Sequence, residues 1–330
     1  MKHQMQGFTL VELVVVLAIL IALATVAVSS LEGVQDQTRY SATQQGLQNI
    51  EDAVLGPANQ LSPQGVPLVT GFVADIGRVP VATLINGISQ PQELWDNPNN
   101  LNPFGVYPAA IANIPGGTAG LAPAGDEDPA VFVACGWRGP YLRLGIGQTT
   151  LTDGWGNPYD LLDPTRTVVI PPGQINIVRS LGVDYIVNSS PTNNYNEDIY
   201  LNFNTNQFNG TTAINDYPAV SARDRYHASP LQVTVQNGNG SPLGSPPSAL
   251  PLTVTLKYFG PDPLTGKIKV ITAQTIITST TPSLVFTLTN ASITIGPRIL
   301  RAYMATTPTT ASAVTPIILF PSGNTAVVNF

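Results

Sequence analysis

The chain opens on MKHQMQGFTLVELVVVLAILIALATVAVSS, and no other stretch limits its possible folds so strongly. A polar leader, Met1 to Gly7, carries Lys2 and His3 and no acid. Beyond it the only charge before Val28 is Glu12. The run reaches the roughly 20 mostly apolar residues that a helix needs to span a bilayer. Lys2 on the leader side sets that end toward the cytoplasm. The stretch reads as a membrane helix, with Glu12 as its anomaly. A carboxylate at membrane depth costs about 2.5–3.5 kcal/mol on the insertion scale, so it normally has a partner and a task.

Gly7-Phe8-Thr9-Leu10-Val11-Glu12, followed by an apolar helix, resembles the leader and N-terminus of type IV pilins and of type II secretion pseudopilins. The resemblance implies that a membrane prepilin peptidase cuts after Gly7, that the new N-terminal Phe8 is N-methylated, and that Glu12 is needed for assembly. The freed amine of Phe8, with a reference pKa of about 8, is mostly cationic at neutral pH. It lies about a helical turn from Glu12 of its own chain, or it can neutralise Glu12 of the next chain in a helical array. Setting register between identical helices is the best-attested use of a buried charge. An ordinary secretory signal competes, because Ala22-Leu23-Ala24 has the small-x-small shape of a cleavage site. Such signals rarely carry an acid in the apolar region, which normally ends within about 7–15 residues. A plain membrane anchor explains the run but neither Gly7-Phe8 nor Glu12.

With 330 residues the chain has room for about two domains. Thirty prolines and 29 glycines sit in a chain that is 43% hydrophobic and only 10% charged, which points to turn- and strand-rich globular structure and away from disorder. The net charge of −6 argues against nucleic acid as a partner, since binding it takes a basic face. Cys135 is the single cysteine, so no intramolecular disulfide exists. In the run Val131-Phe132-Val133-Ala134-Cys135 it reads as a buried, inert thiol. Past the leader the only histidine is His227, beside Arg223-Asp224-Arg225, which reads as an exposed charged patch. A histidine-rich zinc site is therefore excluded, and no nucleophile–base pair is legible. An enzyme on a membrane anchor is the weakest reading.

No proline occurs before Pro57. Since helix interiors exclude proline, the spacing predicts one helix from Phe8 to Leu55, about 70 Å long. Leu47, Ile50 and Val54 give its polar second half an apolar stripe, and Gly56-Pro57 stops it. Many pilin relatives carry a kinking proline near the position of Ser29. Residues 57–135 are rich in Pro, Gly and Asn. Within them Asp75-x-Gly77-x-x-Pro80 resembles a segment that follows the stalk in pseudopilins. Ser89 to Trp95 reads as a short helix, and Asn113 to Asp128 as a loop tipped by Asp126-Glu127-Asp128.

Two later motifs place a tryptophan among Gly and Pro: Gly136-Trp137-Arg138-Gly139-Pro140-Tyr141-Leu142 and Asp153-Gly154-Trp155-Gly156-Asn157-Pro158-Tyr159. Physically they are tight turns pinned by a large aromatic. In this order they resemble the head of the G-type (major) pseudopilin, in which many relatives have Pro at the place of Gly154. The likeness extends to Ser180-Leu181-Gly182-Val183-Asp184 and Asn196-Glu197-Asp198-Ile199. It implies a calcium loop with ligands Asp184, Glu197 and Asp198 and carbonyls near Leu181 and Tyr195, a set able to approach the roughly six to eight oxygens calcium takes. Tyr185 replaces the usual Gly, the loop is longer, and the EF-hand pattern is absent.

From Ser229 the only acid is Asp262, against Lys257, Lys267, Lys269, Arg298 and Arg301. Short apolar or alternating runs recur at Leu231–Val235, Leu252–Tyr258, Ile268–Ile277, Leu284–Leu288, Ile299–Met304, Thr315–Leu319 and Ala326–Phe330. About seven strands in about 100 residues predict an immunoglobulin-like β-sandwich, added beyond the part that resembles a pseudopilin, residues 1–203. Gly260 to Lys267 mimics a phosphate loop, but its spacer is too long and Ile268 stands where Ser or Thr is required, so it reads as a hairpin turn.

The expected fold is α+β. A leader (1–7) precedes a transmembrane and stalk helix (8–56), packed on a small antiparallel-sheet head (57–217) and followed by the sandwich (218–330). The expected protein is a filament subunit of the bacterial inner membrane with its head in the periplasm. Its expected partners are copies of itself, other pseudopilins or minor pilins, the prepilin peptidase, an assembly platform with its ATPase, and lipid before assembly. A type II secretion pseudopilus is the first reading; a surface pilin or pilus adhesin is the second.

Overall fold

In the computed structural model α1 spans Leu10–Leu55 as one helix of 46 residues and passes Ser29 without a break. The residues described are 10–57, 70–105, 133–187, 195–203, 207–209, 228, 230–245, 250–289, 293–305, 310–311, 315–320 and 324–330, with backbone only at 26–32, 207–209 and 310–311. The helix ends where the sequence places its stop. Gly56 takes the left-handed conformation (φ 86) and its N–H donates to the Asp52 carbonyl at 2.9 Å. Leu47, Ile50 and Val54 are buried, so the expected stripe faces the head.

After α1 comes α2, the short helix Phe72–Ile76, closed by left-handed Gly77, whose N–H donates to Val73 O. β1 (Thr83–Ile85) and β2 (Ile88–Gln90) then form a hairpin around Asn86-Gly87, both with positive φ, as a tight hairpin turn requires. The expected helix at Ser89–Trp95 is therefore corrected. Ile88–Gln90 is a strand, and only a single 3-10 turn follows at Gln92–Leu94. The Asn-Gly turn folds residues 88–90 back onto 83–85, and Pro91 has no N–H to continue a helix through it.

The head sheet is an antiparallel meander of β3 (Asp160–Leu162), β4 (Ile177–Ser180), β5 (Ile199–Asn202) and β6 (Gln207–Asn209) in that order. The C-terminal region holds β7 (Leu231–Gln236), β8 (Leu252–Pro261), β9 (Ile268–Ile277), β10 (Ser283–Leu288), β11 (Gly296–Met304), β12 (Thr310–Ala311), β13 (Thr315–Leu319) and β14 (Asn324–Asn329). All the runs expected as strands are strands; β12 had no signal. They form two sheets, β10-β7-β14 and β12-β11-β8-β9, with β13 also on β11 and the pair β7–β14 parallel. The fold is thus α+β with a β-rich C-terminal region. Alternation places Leu231, Val233 and Val235 of one sheet and Leu252, Val254 and Leu256 of the other in the same core cluster. The turn at 262–267 is a hairpin, with Asp262 N–H on Lys267 O and Gly266 N–H on Asp262 O.

One core runs from α1 through the head into the C-terminal sheets, joining Leu47 and Ile50 to Phe72, Leu161 and Leu256. The C-terminal region therefore packs back onto the head. Arg298 of β11 is fully buried at this seam. Its guanidinium donates to Ala74 O (2.8 Å), Thr294 Oγ1 (2.8 Å), Pro297 O and Ile295 O. Carbonyl partners offset the desolvation of this charge and fix β11 against α2. Beside it Cys135 is buried with Val133, Phe259, Ile268 and Ile299. Burial pushes its thiol up to about 11, the inert state expected.

Docking of α1 depends on backbone contact. A Cβ on Gly154 would collide with the Arg39 carbonyl oxygen, and one on Gly46 would stand 2.6 Å from the Tyr159 hydroxyl. The Gly154 N–H donates to Thr43 Oγ1 at 2.9 Å. Gly154→Ala should destabilise the full chain by about 1–3 kcal/mol through overpacking. Gly33→Ala, in an exposed turn of α1 with open space around it, should stabilise by up to about 1 kcal/mol. Denaturant unfolding in detergent measures both; equal effects would contradict the close approach.

Candidate functional site

The exposed half of α1 is the least usual surface of the molecule. Leu10, Val11, Leu13 to Leu17, Ile19 to Ile21 and Leu23 lie on all sides of the helix, and the large side chains among them are exposed from 50% (Val16) to 79% (Leu10). A helix apolar all round is stable only inside lipid or among other helices, and an exposed surface of this kind marks an interaction site. Glu12 lies in the first turn of α1 on this exposed half. Gly7 and Phe8 fall outside the described residues, and so does any pairing of the Phe8 amine. Among the described residues no helix is long and apolar enough to cross a membrane. The charge-free sequence itself continues to Val28, through positions whose side chains are not described.

From Tyr40 onward α1 is held by the head. Thr43, buried in the helix, donates to Arg39 O and accepts from Gly154 N–H. Next to it Asp153 closes its own turn, with Oδ1 accepting from the backbone N–H groups of Trp155 and Asn157. Its other oxygen accepts from Ser180 Oγ at 2.7 Å. The second tryptophan motif thus joins α1 to the Ser180-Leu181-Gly182 segment. A proline at position 154 would lack the N–H given to Thr43 and would add atoms where α1 touches.

The first tryptophan motif is tied to Asp75-x-Gly77-x-x-Pro80. Asp75 Oδ2 accepts from Arg138 Nε (3.0 Å) and Tyr141 Oη (2.9 Å). Trp137 Nε1 donates to Glu93 O. Glu93, fully buried, accepts both Arg78 nitrogens at 2.7 Å and also Val81 N–H and Asn99 Nδ2. These bonds satisfy buried charges and hold turns in place; no nucleophile or base faces an open site among them. The Arg78–Glu93 pair, Thr43 and Gly46 were not singled out from the sequence. A lone Arg and Glu carry no signal of their pairing, and Thr43 and Gly46 look like ordinary helix positions.

Of the described residues of segment 181–198, Tyr195 lies against α1. Tyr195 Oη donates to Gln37 Oε1 (2.8 Å), and its ring meets Tyr40 edge-on at 5.9 Å. Gly182 and Tyr185 are both left-handed (φ 68 and 54), so Tyr185 keeps a backbone suited to Gly at a strain of about 1–2 kcal/mol. Asp184 Oδ1 accepts from Ile186 N–H, and the Tyr195 carbonyl from Val183 N–H. Asp198 Oδ2 accepts from Tyr200 Oη and stands 3.8 Å from Arg179 Nη1. Glu197 is half-buried, and Leu181 is buried. Among the described residues no three acids, histidines or cysteines converge as a metal site, so Asp184, Glu197 and Asp198 do not share a point in this arrangement. His227 and residues 113–128 lie outside the described residues.

Residues 2–28 match the prokaryotic N-terminal methylation motif, the N-terminal signature of type IV pilins and pseudopilins. No curated protein and no solved structure matches the chain. The motif suggests a membrane-anchored prepilin that is processed by the prepilin peptidase and assembles into filaments.

Burial lifts the Asp75 carboxyl above its ordinary pKa of 3.8, and the neighbouring Arg138 guanidinium opposes the lift without cancelling it. The folded state then holds this proton more tightly than the unfolded chain. The contribution of Asp75 to stability is full below the unfolded value and is lost as pH rises through the folded one. Wild type should therefore lose stability relative to Asp75→Asn over a range of pH that begins at about 4 and runs upward. Denaturant unfolding across that range measures it; a difference independent of pH would contradict the buried-carboxyl account.

Proposed function

We propose that the protein is a structural filament subunit, a pseudopilin that grows a type II secretion pseudopilus moving folded proteins across the outer membrane. One observation carries this reading: a methylation motif heads a helix whose second half is docked while its first half, apolar all round, is exposed. Cleavage after Gly7 frees Phe8 for methylation, and the helix first rests in inner-membrane lipid with the head in the periplasm. Assembly moves it into a bundle of identical helices, where apolar packing replaces lipid contact and Glu12 meets the amine of a neighbouring Phe8. The work comes from an assembly platform and its ATPase. Other pseudopilins or minor pilins share the filament. The task is structural and needs no catalysis.

The assignment to secretion rests on the two tryptophan motifs and the Asp75-x-Gly77-x-x-Pro80 segment, the first motif being tied to that segment by the Asp75 hydrogen bonds. We read residues 57–217 as the head and 218–330 as an immunoglobulin-like sandwich, a reading supported by the one core cluster that residues of both sheets share. The sandwich favours a second reading, a surface pilin or pilus adhesin that uses it to bind a partner. Loss of enzyme secretion on deletion supports the pseudopilus; filaments sheared from the cell surface support the second reading. Calcium at Asp184, Glu197 and Asp198, with carbonyls near Leu181 and Tyr195, is a separate proposal that rests on the loop sequence. It requires Asp198 to exchange its present contacts for the metal. A chelator should then lower the melting temperature, and an unchanged melt removes the proposal.

Glu12→Ala should leave membrane insertion intact and abolish filament assembly. Fractionation of membranes reads the first and electron microscopy of filaments the second. A wild-type filament yield would contradict the role given to Glu12.

A further inference from the structure

Among the described residues β9 is the edge of its sheet, bonded only to β8. It is ten residues long and contains no Pro, Gly or acid, and Lys269 is its only charge. Soluble proteins normally blunt an edge of this length with charge, proline or a bulge, because its free N–H and C=O groups are a template for another strand.

The direction of those groups follows from the register. Thr253 O accepts from Ala305 N–H at 3.0 Å on the β11 side of β8, so residues 253, 255, 257 and 259 turn toward β11. Their neighbours 252, 254, 256 and 258 turn toward β9, where they meet 277, 275, 273 and 271. Val270, Thr272, Gln274 and Ile276 therefore point N–H and C=O away from the sheet. Ile268, of the same parity, confirms it: its N–H reaches outward to Asn102 Oδ1 at 2.9 Å. No described residue bonds the outward groups between Val270 and Ile276. Thr272, Gln274 and Ile276 are exposed.

We propose that this edge pairs antiparallel with β9 of a second copy of the chain, about a two-fold axis at Ala273. That register sets Val270 against Ile276 and Thr272 against Gln274 of the other copy. In each pair both residues turn outward, so each exchanges two backbone hydrogen bonds. It is the two-fold register that satisfies all four outward residues among themselves while leaving Ile268 on Asn102. The side chains agree. Two β-branched apolar residues meet, two polar ones meet, and the small Ala273 faces its own copy at the axis. The nearest row of cations, Lys257 on β8, is three strand spacings from its counterpart, about 14 Å, beyond the screening length of about 8 Å. The contact does not involve α1, so it stands apart from filament growth and links two subunits or two filaments side by side.

Position-specific cross-linking of the full chain in detergent tests it. Two Ala273 Cα atoms at the axis form a non-hydrogen-bonded pair about 4.5 Å apart, within disulfide reach. Two Ile276 residues lie about 20 Å apart in the same register. With a mild oxidant Ala273→Cys should give a disulfide-linked dimer and Ile276→Cys none, the buried Cys135 staying silent in both. Adding Gln274→Pro to Ala273→Cys removes one outward N–H without touching the β8 ladder, and the dimer should be lost. Absence of the Ala273→Cys dimer, equal cross-linking at both positions, or a dimer that survives Gln274→Pro overturns the proposal. Processing at Gly7 and assembly through Glu12 are read by other experiments and are unaffected by any of these results.

Discussion

A single helix whose two halves have opposite surroundings governs this molecule. From Tyr40 to Leu55 α1 is part of the head's core, fixed by Leu47, Ile50 and Val54 and by the backbone contact at Gly154. From Leu10 to Leu23 the same rigid rod carries large apolar side chains that stand exposed, with no cover from the described residues. Because proline is absent before Pro57, no hinge lets the apolar half fold back. The exposed surface is therefore built in, and only lipid or other helices can cover it. Helix docking thus fixes the geometry of whatever the apolar half joins.

Buried polar groups hold the head in one arrangement. Asp75, Glu93 and Asp153 each accept bonds from segments distant in sequence, and each closes a turn that a short sheet alone would leave loose. Arg298 does the same across the seam to the C-terminal sheets, caged by carbonyls. Removing one partner of such a group leaves the other buried and unmatched, which is far more destabilising than the pair is stabilising. A chain with one cysteine and no disulfide gains its order in this way, through matched charges inside a continuous core.

Much of this was legible beforehand because its causes are local. Helix length followed from the absence of proline, its end from Gly56, and the strands from alternation that needs no knowledge of their partners. Ser89–Trp95 misled because its composition suits a helix, while the Asn86-Gly87 turn just upstream commits Ile88–Gln90 to pairing. β12, two residues long, has no period to detect. The roles of Thr43, Gly46 and Gly154 were hidden because each depends on which surface lies opposite, a fact of packing. Asp184, Glu197 and Asp198 share a motif, and whether they share a point depends on loop geometry that residue type does not determine.

The central claim is that the N-terminus is that of a processed, assembling prepilin. Intact mass of the native protein, taken separately from sheared-surface and envelope fractions, tests it most directly. The account predicts a chain lacking residues 1–7 and carrying one added methyl, confined to the envelope for a pseudopilus and present in the sheared fraction for a surface pilus. A chain that keeps its leader, or one cut after Ala24, would contradict it.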